Sequence, residues 1–314
     1  MTDAPSASAI VDNDWARWTR NWPAPAKLNL FLHVVGRRPD GYHLLQTVFQ
    51  FLDIGDSLRI APRDDDRIVL ADALPGVATE DNLVVRAARA LREAVGVTAN
   101  QRAKHAAKYA MCGVTLHLDK RLPLGGGLGG GSSDAATTLL ALNHLWRLGL
   151  DRRELQGIGL TLGADVPIFL HGHAAFAEGI GERFTDVAPP PAWYLLLMPP
   201  VAVPTARIFA AAELRRDTPA IAAADWRPGF GRNDLEPVAR ALYPEVARHL
   251  DWLRQWGDAR MSGSGACCFV AFADADAAHA AHAQLPADLR GVITRGLNRH
   301  PLAEPPATGD RATP

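Results

Sequence analysis

The strongest limit on the fold of this chain is a glycine- and serine-rich run, Leu122-Pro-Leu-Gly-Gly-Gly-Leu-Gly-Gly-Gly-Ser-Ser-Asp134, directly ahead of an Ala/Leu-rich helical stretch at 135–146. Backbone without Cβ atoms can approach an anion closely and turn its N–H groups toward it. The positive end of the helix dipole adds to that attraction. The segment therefore predicts a phosphate-binding loop between a strand and a helix, with a nucleotide triphosphate as the ligand.

Three other glycine-rich patterns fit this segment less well. A Walker A loop needs a lysine after its last glycine, and Gly131 is followed by Ser132. The glycines also satisfy the dinucleotide-binding spacing, but the acid at the right distance, Asp151, opens a helical stretch instead of ending a strand. A flexible linker would not run into Ser133 and Asp134, which together with Ser132 are typical of a helix N-cap.

Composition is that of a globular protein which binds small ligands. The 314 residues are 48% hydrophobic and 21% charged, enough to form two packed domains. A formal net charge of -1 argues against general attraction to nucleic acid or to anionic membranes. Cys112, Cys267 and Cys268 show no metal spacing and are expected to be reduced. These features predict a cytoplasmic protein with a small-molecule substrate and neither nucleic acid nor membrane as a partner.

Two domains are predicted between two less ordered ends. Residues 1–22 have three acids and no long apolar run, so they predict a flexible extension and neither a signal peptide nor a membrane span. Residues 301–314, rich in proline and alanine without periodicity, predict a disordered tail. The loosely punctuated region at 185–191 divides an N-terminal domain at 23–185, which holds the glycine loop, from a C-terminal domain at 186–300.

Helix and strand patterns alternate along both domains. Residues 27–34 predict a strand with Lys27, Asn29 and Phe31 on one, polar face and leucines on the core face. A tight turn at 37–41 places Tyr42 and His43 at a rim. The other predicted elements are strands at 44–52, 114–119, 194–198 and 268–272, and helices at 82–95 and 237–256.

Asp165 and Lys27 are the first candidates for chemistry beside the glycine loop. Asp165 lies in an apolar run, where a carboxylate loses hydration and needs hydrogen bonds or a cation to stay ionised. Lys27 is a natural partner. Taken alone, Asp165 fits a helix cap equally well, because Pro167 suits the first turn of a helix. Lys27 taken alone is typical of a solvated strand residue.

Three separated segments, read together, resemble the three motifs of the GHMP kinases. Residues 23–29 (PAPAKLN), 122–133 and 261–267 (MSGSGAC) follow in the family order. The likeness spans roughly residues 23–300, with residues 101–110 as an enlarged loop. It implies a two-domain α+β fold: an N-terminal α/β domain of the ribosomal S5 domain 2-like type packed on a C-terminal α+β domain, with the active site in the cleft between them.

Further segments narrow the resemblance within that superfamily. Residues 38–43 (RPDGYH), 162–167 (LGADVP) and 172–179 (GHAAFAEG) are similar to a kinase of the non-mevalonate route to isoprenoid precursors, whose acceptor carries a cytidine diphosphate group. This implies ATP-dependent phosphorylation of the 2-hydroxyl of that acceptor, with Mg²⁺ accompanying ATP. A GHMP-type kinase acting on homoserine or mevalonate, and a non-catalytic nucleotide-binding module, remain as alternatives.

The resemblance also implies the roles of individual residues. Asp165 would be the base on the acceptor hydroxyl, and Lys27 would hold that carboxylate and the reacting oxygens. Asn29 would orient the alcohol portion of the acceptor. Tyr42, His43 and Phe209 would bind cytidine by stacking and hydrogen bonding, although by pattern alone Tyr42 and His43 fit a turn and Phe209 fits a core. The ATP loop would comprise Pro123, Leu124, Gly125, Gly126, Gly127, Leu128, Gly129, Gly130, Gly131, Ser132 and Ser133.

Other conspicuous residues receive no catalytic role. No protein ligand is assigned to the metal, apart from a contribution from Ser132 or Ser133. His33, His117, His144 and His171 show no metal spacing and are interpreted as structural. The loop at 263–265 is expected to support the phosphate loop, and the pair at 233–234 has no task beyond capping or packing.

Overall fold

The computed structural model describes residues 18–97 and 113–303. Its strands are β1 (Trp22–Arg37), β2 (His43–Arg63), β3 (Ile68–Leu70), β4 (Gly113–Asp119), β5 (Ala175–Glu178), β6 (Arg183–Asp186), β7 (Trp193–Leu197), β8 (Arg260–Met261), β9 (Cys268–Phe272) and β10 (Gly291–Leu297). Its α-helices are α1 (Leu83–Val97), α2 (Gly130–Leu145), α3 (Arg152–Leu162), α4 (Val166–His171), α5 (Thr205–Ala210), α6 (Glu236–Leu242), α7 (Pro244–Leu253) and α8 (Ala275–His282). Short 3₁₀ turns lie at Thr79–Asp81, Ala223–Asp225 and Arg254–Trp256.

These strands form one continuous sheet that joins both halves of the chain. Its main path runs β3-β4-β2-β10-β7-β9-β8, while β1 and β5 pair with β2, and β6 pairs with β5. All neighbours are antiparallel except β3 and β4. The link is β10, which pairs with β2 at Leu52 and Phe51 and with β7 along its first five residues. The mixed α and β architecture agrees with the expected α+β fold.

Most predicted elements form, with two corrections. The strand at 27–34 is real, but the expected division into a polar and a core face is wrong, because β1 is covered on both sides and Phe31 is fully buried. A register shift between Asn29 and Leu32 also interrupts the alternation. The helix predicted at 237–256 is two α-helices and a 3₁₀ turn, since Pro244 starts a new helix after the extended residue Tyr243.

The glycine loop enters its helix earlier than the sequence pattern predicts. Helix α2 starts at Gly130, and its N-cap is Gly129 in the left-handed conformation, φ 69°. Ser132 and Ser133 therefore lie within the first turn, Asp134 follows it, and none of the three caps the helix. Successive glycines permit this because they combine a positive φ with a close approach to the preceding loop. The loop and the helix N-terminus thus form one continuous surface of backbone N–H groups.

Four apolar clusters hold the described sheet and helices together, and three of them position the site. The first fills the space between β1, β2, β4 and helices α1–α4, and the second lies between β7–β9 and helices α5–α8. The third, at the junction, contains Leu122 and Leu128 from the glycine loop and Cys267 from the loop before β9. Both glycine-rich loops are therefore anchored in a shared core between the two halves.

The predicted ends and the enlarged loop lie mainly outside the described residues. The extension is described only at residues 18–22, where Trp18 and Trp22 pack against the first cluster, and the tail only at 301–303, where Leu302 does the same. Residues 1–17, 98–112 and 304–314 are not described, so the expectations for the 101–110 loop and for Cys112 are not addressed. The division between residues 185 and 186 stays a prediction. Among the described helices, none has the length and apolar character needed to cross a bilayer.

Candidate active site

A cleft of ≈ 910 Å³ lies where the loops of the two halves meet. Its walls include Lys27, Asn29, Asp165, the three residues expected to bind cytidine, and every residue of the expected ATP loop except Ser133. Segments separated by well over a hundred residues thus converge on one cavity. The exception, Ser133, is fully buried beneath the loop in the first turn of α2.

Lys27 is buried, and its side-chain nitrogen lies within reach of three oxygen acceptors of the protein. Its side chain is 2% exposed, and Nζ lies 2.6 Å from Asn29 Oδ1, 3.1 Å from the Gly127 carbonyl oxygen and 3.2 Å from Asp165 Oδ2. An ammonium has three N–H donors, so these three acceptors satisfy it completely. The alternative interpretation of Lys27 as a solvated strand residue is therefore wrong. Lys27 joins β1, the glycine loop and the segment before α4 at one point.

Asp165 faces the cleft as the accessible partner of that ammonium. It occupies the N-cap position of α4, with Pro167 in the first turn, but its side chain accepts no capping hydrogen bond. Its side chain is 39% exposed, so the prediction that this carboxylate loses its hydration within an apolar run is wrong. The apolar residues that follow it point into the core, whereas the carboxylate points away from them. It is placed to meet a ligand hydroxyl.

The two glycine-rich loops lie against each other without intervening side chains. Ser262 Oγ donates to the Gly127 carbonyl oxygen at 2.8 Å, and the Cys267 N–H donates to the Gly126 carbonyl oxygen at 3.0 Å. A Cβ on Gly127 would lie 2.1 Å from the Ser262 carbonyl oxygen. Asn233 Nδ2 donates to the carbonyl oxygens of both Met261 and Gly263 at 2.7 Å. The expected support of the phosphate loop is therefore a direct backbone contact.

Replacing Gly127 with alanine is expected to destabilise the protein and to raise the KM for ATP. Gly127 has φ +74°, which costs an L-residue about 1–3 kcal/mol, and the added methyl group also meets the neighbouring loop. Gly149→Ala is the matched control, because Gly149 has φ +71° with open space around it. Thermal denaturation and ATP kinetics of both variants separate the contact from the conformational cost. Equal losses of stability and unchanged ATP kinetics in both variants would contradict the close packing of the loops.

Asn29 belongs to a hydrogen-bonded group that the sequence reading did not find. Its Nδ2 donates to Thr47 Oγ1 at 2.9 Å, its Oδ1 accepts from Lys27, and its backbone N–H donates to Ser262 Oγ at 3.3 Å. All four side chains are buried. Asn29 therefore fixes the lysine in addition to lining the cleft. Ser262 was detectable from its glycine-rich motif, whereas Thr47, on β2, carried no sequence signal.

The opposite end of the cleft carries the aromatic residues. Tyr42 is 60% exposed, and the His43 ring stacks on Phe209 with centroids 4.8 Å apart and planes at 30°. Phe209 packs partly buried against the second apolar cluster and also lines the cleft, so it fits both of the interpretations given for it. Burial, followed by the charges of Arg216 and Arg37, lowers the pKa of His43. The ring is therefore neutral at pH 7.

Arg216 holds these aromatic residues together, although no sequence pattern marks it. Its Nε donates to His43 Nε2 at 3.1 Å. Its other nitrogens donate to the carbonyl oxygens of Leu214, Phe209 and Ala211 at 2.9, 3.0 and 2.7 Å. One guanidinium thus fastens the His43 ring to the backbone that carries Phe209. Because Nε2 accepts this hydrogen bond, the neutral ring carries its proton on Nδ1.

Comparison with known proteins agrees with this geometry. Residues 82–173 match the GHMP kinases N terminal domain, and residues 211–291 match the GHMP kinases C terminal family. A protein of Dechloromonas aromatica (strain RCB) named 4-diphosphocytidyl-2-C-methyl-D-erythritol kinase is 59% identical over 284 residues, covering 90% of this chain and 99% of that protein. A protein of the same name from Thiobacillus denitrificans (strain ATCC 25259 / T1) is 57% identical, covering 90% and 96%.

Solved structures give the same result. The crystal structure of 4-(cytidine 5'-diphospho)-2C-methyl-D-erythritol kinase superposes with a TM-score of 0.71 at 35% identity, covering 88% of this chain and 99% of that one. A mevalonate kinase shares the fold, with a TM-score of 0.61 at 14% identity over 90% of this chain and 100% of its own. The chain therefore belongs to the GHMP kinases and, within them, to the 4-diphosphocytidyl-2-C-methyl-D-erythritol kinase family.

Proposed function

We propose that this protein transfers the γ-phosphoryl group of ATP to the 2-hydroxyl of 4-diphosphocytidyl-2-C-methyl-D-erythritol, in the non-mevalonate route to isoprenoid precursors. The observation that carries the proposal is the Lys27–Asp165 ion pair, which lies beside the glycine loop and in the same cleft as Tyr42 and His43. One cleft thus offers a phosphate cradle, a carboxylate for a hydroxyl, and a separate aromatic end for a base.

The mechanism requires few groups because phosphoryl transfer depends mainly on alignment and charge neutralisation. Asp165 accepts the hydrogen bond of the acceptor hydroxyl and takes its proton as the O–P bond forms. Lys27 holds the carboxylate in its orientation through the ion pair. Since all three of its N–H groups already have protein acceptors, it can contact a phosphoryl oxygen only by releasing one of them. Backbone N–H groups of the loop at 125–131 hold the phosphates of ATP.

The residues present are also compatible with Mg²⁺. The ion prefers carboxylate and hydroxyl oxygens together with water and phosphate oxygens. Ser132 lines the cleft together with Asp165, and the Oγ of the adjacent Ser133 is buried without a hydrogen-bond partner. Ser132 would contribute an oxygen to the ion, which, when bound, would neutralise the charge of the phosphates. Ser133 would reach the cleft only after a change of rotamer.

His43 provides selectivity for cytosine that stacking alone does not supply. Stacking accepts any base, because every base has a similar π-face. With its proton on Nδ1, His43 donates one hydrogen bond, and cytosine offers acceptors at N3 and O2. Uracil carries a hydrogen on N3, so the Nδ1–H group of His43 would face another donor at that position. Arg216 fixes this tautomer, and we assign it the role of a positioning residue for the cytidine site.

Replacing Arg216 with methionine is expected to raise the KM for the cytidylyl acceptor about tenfold or more. A hydrogen bond to a charged group is worth about 1.5–3 kcal/mol, and 1.4 kcal/mol corresponds to a factor of ten. The KM for ATP should not change. The pKa of His43 should rise once the Arg216 charge is gone, so the acid limb of kcat/KM for the acceptor should move to higher pH. Steady-state kinetics across pH measure both effects.

Arg215→Met is the control for this variant. Arg215 pairs with Asp217 at the surface, where both side chains are more than half exposed, and such a pair contributes little. Its kinetics should match those of the wild type. Identical acceptor KM values and pH profiles for the two variants would contradict the role assigned to Arg216.

An acceptor panel tests the proposed reaction. ADP release should be measured with ATP and Mg²⁺ against 4-diphosphocytidyl-2-C-methyl-D-erythritol, its uridine analogue, homoserine and mevalonate. Turnover confined to the cytidylyl compound supports the proposal. Turnover with homoserine or mevalonate would support a kinase but contradict the proposed cytidine site. No turnover with any acceptor would favour a nucleotide-binding module without kinase activity.

A further inference from the structure

Three potential metal ligands meet on the surface at the far end of α4, away from the cleft lining. They are His171, the last residue of α4, His173, two residues later, and Asp186, the last residue of β6. One ligand atom from each lies within 4.8 Å of the others. His171 Nε2 is 2.5 Å from Asp186 Oδ1, and the two histidine rings are edge to face at 5.9 Å. The sequence reading, which treated His171 as structural without metal spacing, did not anticipate this group.

The backbone that carries the two histidines is held on both sides. Gly172, between them, has φ +87°, and a Cβ there would lie 3.1 Å from Arg152 Nη1. The Gly172 carbonyl oxygen accepts from the His300 N–H at 2.9 Å, and the Ala174 N–H donates to the Asn298 carbonyl oxygen at 2.8 Å. This sharp turn brings residues 171 and 173 to the same side. The separation of the two rings is therefore set by the fold.

The position of Asp186 is equally defined. It pairs with Ala175 in the β5–β6 ladder, and Phe184 on the same strand lies against the His171 ring with centroids 4.8 Å apart. The side chains of His171 and Asp186 are 22% and 63% exposed, so the group opens to solvent.

We propose that His171, His173 and Asp186 form a binding site for a first-row transition-metal dication of the Zn²⁺ class. Two imidazoles and one carboxylate are a ligand set that such ions prefer, and the open side leaves room for water. In a tetrahedral site with metal–ligand distances of about 2.0–2.2 Å, the ligand atoms lie roughly 3.3–3.6 Å from one another. His171 Nε2 and Asp186 Oδ1, now 2.5 Å apart, must therefore separate slightly, while the more distant ligand atoms of the group, which span up to 4.8 Å, must approach. The ion takes the place of the direct contact between His171 Nε2 and Asp186 Oδ1.

A bound ion would connect the end of α4 to β6. Helix α4 is six residues long and begins immediately after Asp165. Its C-terminal end meets β6 through the His171–Asp186 contact and the ring of Phe184. Metal binding would therefore stabilise the helix that follows the catalytic carboxylate. This inference does not depend on the identity of the acceptor.

Zinc binding to the untagged, full-length protein tests the site. Calorimetric titration with ZnCl₂ in buffer containing Mg²⁺ should show one equivalent bound, and thermal denaturation should show a Zn²⁺-dependent rise in Tm. His173→Ala should weaken binding at least about tenfold and abolish the rise in Tm. Asp186→Asn, which keeps the side-chain shape, should weaken binding in the same direction. His279→Ala is the control, because His279 is an exposed histidine bonded to the Ala275 carbonyl oxygen of its own helix.

Cobalt identifies the ligands directly. Co²⁺ bound to the wild type should give visible absorption without a thiolate charge-transfer band, and His173→Ala should lose that absorption. Binding that is equal in the wild type and in His173→Ala, or no binding by the wild type, would overturn the proposal. A thiolate band would also overturn the proposal, because it would show that a cysteine binds the ion.

Discussion

Replacing Asp165 with asparagine is expected to lower kcat by about 10²–10⁴-fold, the range typical of a removed general base. The amide keeps the size of the side chain but cannot take the proton of the acceptor hydroxyl. Because the loop at 125–131 is untouched, the KM for ATP and the thermal stability should remain close to those of the wild type. Single-turnover kinetics with saturating ATP and acceptor separate this loss from any change in product release.

The control for this variant is another acid at a helix N-terminus. Asp274 accepts a hydrogen bond from the Ala277 N–H at the start of α8, remote from the cleft. Asp274→Asn can still cap the helix, and its kcat should equal that of the wild type. If Asp165→Asn retained wild-type kcat, the assignment of Asp165 as the base would be wrong, although the ATP site would stand.

The second large effect concerns a buried charge cluster beneath the phosphate loop. Lys120 Nζ contacts Asp56 Oδ2 and lies 2.9 Å from Asp134 Oδ2, and the three side chains are 10%, 0% and 3% exposed. Asp56 Oδ1 also accepts the backbone N–H groups of Arg121 and Leu122 at 2.6 and 2.8 Å. The cluster therefore connects β2, the start of the glycine loop and the N-terminal part of α2.

Lys120→Met is expected to destabilise the protein by about 3–5 kcal/mol, because it leaves two buried carboxylates without their cation. Thermal denaturation should show a Tm lower by roughly 6 °C or more, at about 2–4 °C per kcal/mol. Lys120 lies directly beneath the loop, because a Cβ on Gly130 would be only 2.8 Å from Lys120 Nζ. We therefore expect ATP binding to weaken as well. A wild-type Tm for Lys120→Met would contradict this account of the cluster.

Asp134→Asn is the matched variant, and pH distinguishes the two. Burial raises the pKa of Asp134 to about 7, against the opposing effect of Lys120. The folded protein then holds a proton on Asp134 at pH values where the unfolded chain has lost it, so this group lowers stability as pH rises from about 4 to 7. Asp134→Asn keeps the Lys120–Asp56 pair. It should cost little stability and should remove this part of the pH dependence.

Local patterns were sufficient to predict most of the elements and to single out residues that meet in the cleft. The apolar pattern, the turn at 37–41 and the glycine run placed β1, the hairpin to β2 and the glycine loop correctly, although the predicted polar face of β1 was wrong. The same patterns misplaced the start of α2, because a left-handed glycine can cap a helix as effectively as the serines that follow it. The helix at 237–256 was overextended because its periodicity continues across Pro244.

Contacts between distant segments could not be predicted. Lys120 meets Asp56 and Asp134 across 64 and 14 residues, and Arg216 meets His43 across 173. Nothing in the neighbouring residues marks these side chains, since their importance comes from burial and from partners that only the fold supplies. The two-domain boundary near residue 186 and the individual site assignments stay predictions until they are tested by substitution.

The most direct measurement of the central claim is the structure of the reaction product. 4-diphosphocytidyl-2-C-methyl-D-erythritol labelled with ¹³C in the erythritol should be incubated with ATP, Mg²⁺ and the protein, and followed by ³¹P and ¹³C NMR. We expect one new phosphomonoester resonance, coupled to C2 of the erythritol, appearing together with ADP and absent with Asp165→Asn. A phosphate on another carbon, or ADP formation with no phosphorylated acceptor, would contradict the proposed reaction.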